Sequence, residues 1–127
     1  MPQLDAIGIV ASDLDATLRF YRLLGVPFPE GGEGHVEASM PNGLRLMVDT
    51  EQMMQTFSEW RPPEGGSPRT TLAFLCDSPA EVDAVHASIV QAGYDSHVDP
   101  FDAPWDQRYA SVLDPDGNVA DLFAPLV

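Results

Sequence analysis

Cysteine is almost missing from this chain: Cys76 is the single one in 127 residues, which excludes an intrachain disulfide. Basic residues are nearly as scarce. Six Lys plus Arg stand against 20 Asp plus Glu, a formal net charge of −14, and such a field repels phosphate backbones and anionic lipid at long range. Nucleic acid is therefore not an expected partner. No basic residue precedes Arg19, so the basic start and apolar run of a secretory leader are not seen, and a cytoplasmic location is the expectation. Long apolar runs are lacking too. Asp5, Asp13, Arg19 and later charges interrupt every candidate short of the roughly 20 residues that cross a bilayer, so no membrane association is expected. What is present supports a packed core: 44% of residues are hydrophobic, and 12 Pro with 10 Gly fall below the proportion that marks low complexity. One domain over residues 1–127 is the expectation. The acidic surplus attracts cations, although on charge alone a solubilising surface is the simpler account.

The run from Leu4 to Ala11 is short, apolar and rich in Ile and Val, which predicts a strand. Ser12-x-x-Asp15 then resembles a capping box, Leu14, Leu18 and Tyr21 recur at helical spacing, and Gly25 supplies a stop. Val26 to Pro29 is long enough only for an edge strand, and His35–Met40 and Leu44–Asp49 alternate around the turn Pro41-Asn42-Gly43 as a hairpin does. A second set of elements follows. Thr70–Cys76 predicts a strand, and Ser78-Pro79-Ala80-Glu81 is a capping box with proline at the first helical position, the strongest local signal in the chain. Val82, Val85, Ile89 and Ala92 line one face of that helix and Gly93 closes it; strands are expected at Ser96–Phe101, Arg108–Leu113 and Val119–Ala124, with a turn at residues 114–118.

The order strand, helix, three strands thus occurs twice, with Gly25 echoed by Gly93 and the PNG of residues 41–43 by the PDG of residues 115–117. The expectation is an α+β fold of two βαβββ modules, module one over about residues 1–50 and module two over about 69–127. The connector, about 51–68, carries a helix-like stretch with Met53, Phe57 and Trp60 at spacings of 4 and 3, then the breaker run RPPEGGSP. Each module has a helix on one side of its sheet only. The other face is left to pack on its counterpart or to surround a ligand, so a central cleft is expected.

These elements, and above all IGIVASDLDATLRFYRLLG near the start and RYASVLDPDGNVADLF near the end, resemble the vicinal oxygen chelate superfamily, which includes glyoxalase I, extradiol dioxygenases and bleomycin-type antibiotic-binding proteins. The resemblance covers nearly the whole chain and lies nearest the bleomycin-resistance branch. It implies a curled mixed sheet around a cleft, commonly in a homodimer. Metal-dependent members place His or Glu ligands on the first and last strands of each module. Counted from the shared motifs, those points hold Ala6, Met47, Thr71 and Asp121 here, and Asp121 alone is a strong ligand, so no metal and no cofactor are expected.

Other sources of chemistry are few. His35-x-Glu37 and His97-x-Asp99 each set an imidazole and a carboxylate on one strand face, a four-donor cluster only if they converge, with solvated strand residues the simpler account. His86 lies in a helix as a packed or surface residue. No GxSxG elbow, phosphate-binding glycine loop or catalytic-cysteine motif occurs, and Cys76, in an apolar strand, is expected to be a structural thiol. What remains is shape, stacking and charge. If Met47 and Asp121 face inward, alternation sends Arg45, Asp49, Val119 and Phe123 to the same side, while Leu44, Leu46 and Val48 pack beneath the helices. Trp60 and Trp105 occupy segments that can rim a cleft, or that simply cover the ends of the core; Phe57 and Met53 read more readily as core. The candidate ligand-binding set is Arg45, Met47, Phe57, Trp60, Thr71, Trp105, Tyr109, Asp121 and Phe123. The function expected is metal-independent binding of a planar small molecule, with cations favoured by charge, as in antibiotic sequestration. The alternative is a glyoxalase-like, metal-dependent lyase, isomerase or dioxygenase with Asp121 or Glu37 as general base.

Overall fold

The computed structural model describes residues 1–65 and 69–126; Gly66, Ser67 and Pro68 of the breaker run, and Val127, lie outside the described residues. The chain divides into two compact units, Met1–Gly65 and Gly66–Val127. Among the described residues no helix is long and apolar enough to cross a membrane.

The first unit runs β1 (Ala6–Ala11), α1 (Leu14–Leu23), β2 (His35–Ser39), β3 (Arg45–Thr50) and α2 (Glu51–Gln55). Its sheet has the order β1-β3-β2, with β1 parallel to β3 and β2 antiparallel to it. Strand alternation decides what is buried: Ile9, Ala11, Val36, Ala38, Leu46 and Val48 are in the core, as are Leu18, Phe20 and Tyr21 of α1. Asp13, not Ser12, caps α1, its carboxylate accepting from the Ala16 amide at 3.1 Å. Serine and aspartate cap equally well, and the helix starts one residue later than the sequence pattern suggests.

Val26–Pro29 forms no strand, so among the described residues this sheet has three strands and not four. The Phe28 amide turns back onto the Val26 carbonyl at 2.9 Å, the Arg22 guanidinium takes the carbonyls of Phe28 and Pro29 at 3.2 and 2.7 Å, and Pro27 and Pro29 have no amide proton to give a ladder. Val26 and Phe28 are nevertheless buried. The segment serves as an anchor for the core.

The second unit runs β4 (Thr71–Leu75), α3 (Pro79–Gln91), β5 (Asp95–Ala103), β6 (Gln107–Leu113) and β7 (Val119–Pro125), with sheet order β4-β7-β6-β5. Again the first and last strands are parallel: Thr71 pairs with Val119 and Ala73 with Asp121, just as Ala6 pairs with Arg45 and Gly8 with Met47. The repeat is thus visible as matching registers. Ser78 caps α3 by accepting from the Glu81 amide at 3.2 Å, and Glu81 reaches back to the Asp77 amide at 3.1 Å. The helix buries Val82, His86 and Ile89, whereas Ala92 is exposed. His86 takes the place expected of an apolar residue because its Nε2 meets the Ser96 hydroxyl at 2.8 Å. In both hairpin turns the glycine sits at positive φ, 91° at Gly43 and 82° at Gly117, where a side chain is strained.

Candidate functional site

In each unit one sheet face is buried under helices; the other carries mostly exposed and half-buried side chains and is the open face, although Ser111 and Val119 on it are buried. On the second unit's open face the registers assemble three rows across the strands. Phe101, Tyr109, Phe123 and Leu75 form one row, spanning β5, β6, β7 and β4; Ser111, Asp121 and Ala73 form the next; Leu113, Val119 and Thr71 form the third.

Asp121 lies at the centre. Tyr109 donates its hydroxyl to Asp121 Oδ1 at 2.8 Å and Thr71 donates to Oδ2 at 3.3 Å. A carboxylate has about four acceptor positions, so two hydroxyls leave room for donors from a ligand. Burial, and then the Asp121 carboxylate that holds its proton, push the Tyr109 hydroxyl up to about 12. Tyr109 is a fixed neutral donor at physiological pH. Ser111, directly opposite Asp121, is fully buried and its hydroxyl has no hydrogen bond of ordinary geometry; it opposes the rise at Tyr109 only weakly.

Beside this carboxylate stands an aromatic cluster. Trp105 lies in the turn between β5 and β6, where Asp106 at φ 61° lets its amide close onto the Ala103 carbonyl at 3.1 Å. That turn sets the indole edge-on to Phe101 and Tyr109, with ring centroids 6.1 and 5.6 Å away, and Phe101 and Tyr109 are 5.9 Å apart. The indole N–H is held by Gln107 Oε1 at 3.0 Å. Trp105 is 54% exposed, Phe101 37% and Leu75 69%. An exposed, mutually braced aromatic group next to a carboxylate is suited to stacking and charge together.

Of the residues singled out in the sequence, Thr71, Trp105, Tyr109, Asp121 and Phe123 come together on this face. Phe101, Leu75 and Ser111 belong with them and were not foreseen, although period-two alternation from Thr71 and Tyr109 reaches Leu75 and Ser111. Arg45 and Met47 lie on the open face of the first unit's sheet, where Arg45 Nη1 is 3.9 Å from the Met47 sulfur and the guanidinium bonds Asp5 at 2.7 Å and Glu37. Phe57 and Trp60 fall beyond α2. That helix stops at Gln55 because the Thr56 and Ser58 hydroxyls take the carbonyls of Met53 and Met54 at 2.6 and 2.7 Å. Phe57 is 69% exposed and is not a core residue; Trp60 is half-buried.

The donor chemistry at the four points where the family resemblance puts metal ligands does not fit a metal. Ala6 has no donor, Met47 offers a thioether beside a guanidinium, and the Thr71 hydroxyl is spent on Asp121. Among the described residues no group of three or more His, Cys, Asp and Glu is arranged to hold a metal ion. His35 and Glu37 do meet, at 2.7 Å, but the second ring nitrogen of His35 is taken by Asp49. Asp99 accepts from the Ser96 hydroxyl at 2.6 Å. Cys76 is buried, with its thiol pushed up to about 11 by that burial, so it is a structural thiol and no nucleophile.

The model of the glyoxalase/bleomycin resistance protein/dioxygenase superfamily matches residues 3–122. The chain belongs to that superfamily. Solved structures of the same fold include a glyoxalase-related enzyme from Fulvimarina pelagi, 23% identical over 98% of this chain and 88% of that one, with a TM-score of 0.81. A glyoxalase/bleomycin resistance protein/dioxygenase family enzyme from Burkholderia phytofirmans PsJN is 20% identical over 98% of this chain and 100% of its own, at 0.80. A glyoxalase/bleomycin resistance protein/dioxygenase from Nocardioides is 25% identical over 99% of this chain and 85% of that one, at 0.72. No match was found among curated proteins.

Proposed function

We propose that this superfamily member is a metal-independent binding protein for a planar, cationic small molecule, of the kind that sequesters an antibiotic or metabolite. The observation that carries this reading is the pairing of Asp121 with the Phe101–Trp105–Tyr109 cluster on one sheet face, in which Phe101 and Trp105 are exposed and Tyr109 is half-buried. A flat ring stacks on the aromatic group, and an N–H on that ring or its substituent reaches the free lone pairs of Asp121. The net charge of −14 draws cations towards it. The same reading has the protein act in the cytoplasm as a homodimer, since open sheet faces and edges call for cover.

The test is a thermal-shift panel of planar aromatic cations and their neutral analogues, run beside elemental analysis of the purified protein. Binding to the native state raises apparent stability by mass action, so cations are expected to raise the Tm more than neutral analogues, with no stoichiometric metal present. One tightly bound metal per chain, lost in Asp121→Ala, would transfer the assignment to a metal-dependent enzyme.

A further inference from the structure

On the open face of the first unit, five charged side chains form one continuous line: Asp5, Arg45, Glu37, His35 and Asp49. His35 is its keystone. Its Nδ1 lies 2.6 Å from Asp49 Oδ1 and its Nε2 lies 2.7 Å from Glu37 Oε2. A neutral imidazole carries one proton and presents a bare lone pair at the other nitrogen, so two carboxylates at these distances can both be satisfied only by the doubly protonated ring. Glu37 does not supply the missing proton. His35, then Arg45, hold its carboxyl below the usual range.

The two carboxylates belong to different strands. His35 and Glu37 are on β2; Asp49 is on β3 and is the direct cross-strand partner of His35. Among the described residues β2 is an edge strand with β3 as its one neighbour. We infer that His35, as an imidazolium, is a pH-sensitive clasp that fastens the β2 edge to β3 and is released when the ring loses a proton.

The groups facing His35 are Glu37 from its own strand and Asp49 from β3, with Arg45 of β3 reaching it through Glu37. All of these except Arg45 favour the proton, and hydrogen bonding to Glu37 and then Asp49 raises His35 above its ordinary 6.5. Arg45 stays charged throughout and keeps Glu37 in place. When the ring becomes neutral, one carboxylate faces a lone pair and must swing away. The sign is fixed by linkage: the clasp is fully formed below pH 6.5, the unfolded value, and is lost as the pH rises through the higher folded value. The deprotonated face also gains one net negative charge. None of this depends on what the second unit binds.

The experiment is nitrogen-15 NMR of the His35 ring in the intact protein, with amide hydrogen exchange of β2 measured across the same pH range. Both ring nitrogens are expected to show imidazolium shifts below pH 6.5, with a midpoint above 6.5 that falls in Glu37→Gln and in Asp49→Asn. Exchange protection at Val36–Ser39, corrected for intrinsic rate, should drop above the midpoint, by about tenfold for each pH unit separating it from the unfolded value. His35→Gln should flatten that pH dependence. A midpoint at or below 6.5, a midpoint unmoved by both carboxylate variants, or pH-independent protection of β2 in the unaltered protein would each overturn the proposal.

Discussion

At the scale of the residue, the account turns on a few polar atoms whose partners are known. Tyr109 is the clearest. Burial and Asp121 raise its hydroxyl to about 12, so ultraviolet titration should find one tyrosine ionising near there, and Tyr109→Phe should remove that component. Because the folded value lies above the ordinary 10.0, the stability contributed by this pair is intact below pH 10 and declines as the pH rises through about 12. Asp121→Asn should bring the Tyr109 midpoint down, since the charge that retains the proton is gone. Thr17 gives the opposite kind of prediction. Its hydroxyl is buried in α1 without a hydrogen bond, so Thr17→Val, which keeps the shape and removes the stranded polar group, should stabilise by about 1 kcal/mol in chemical denaturation. A loss of stability would mean that the hydroxyl has a partner.

At the scale of the element, caps and alternation explain both what the sequence disclosed and what it concealed. The Ser78 box was legible because serine, proline and glutamate coincide at the required offsets, and the structure repeats them as bonds. Ser78→Ala should therefore cost about 1 kcal/mol. Around α1 the signals competed. Ser12 and Asp13 are adjacent and either one caps well; in the structure Asp13 does so. Asp13→Ala should accordingly cost about 1 kcal/mol while Ser12→Ala leaves α1 helicity unchanged. The absent edge strand at Val26–Pro29 was hidden because the residue that occupies its carbonyls, Arg22, sits in the preceding helix. Phe57 misled because helical spacing continues past Gln55 in the sequence, whereas two hydroxyls end the helix there. Within the candidate site, strand alternation from the Asp121 position that the family resemblance implies placed Val119 and Phe123 on its face, and the register of β6 with β7 adds Tyr109. Phe101 was not reached, since β5 departs from regular register between Val98 and Phe101 and breaks the period on which such reasoning rests.

At the scale of the whole molecule, the family and the two-module fold were readable because duplication writes the same turn and cap twice, and the matching registers of Gly8 with Met47 and Ala73 with Asp121 carry the repeat into the structure. What the ligand is made of does not follow from a fold; it must come from the open face. Light scattering should give twice the 13.8 kDa chain mass if the protein acts as the homodimer proposed here, and a monomer at micromolar concentration would remove that part of the reading. Net charge adds a further expectation. Attraction of a cation over distance should weaken as salt shortens the Debye length from about 10 Å at 0.1 M to about 3 Å at 1 M, while stacking on Trp105 persists. The most direct test of the central claim is a titration with a planar aromatic cation in Trp60→Phe, where the remaining indole fluorescence reports on Trp105 alone. The account predicts saturable quenching with one ligand per chain, weakened by about 1 kcal/mol or more in Trp105-independent calorimetry of Trp105→Ala, and weakened again in Asp121→Asn with the fold retained by circular dichroism. Binding of equal strength in both variants, or no saturable binding by any planar cation, would contradict it.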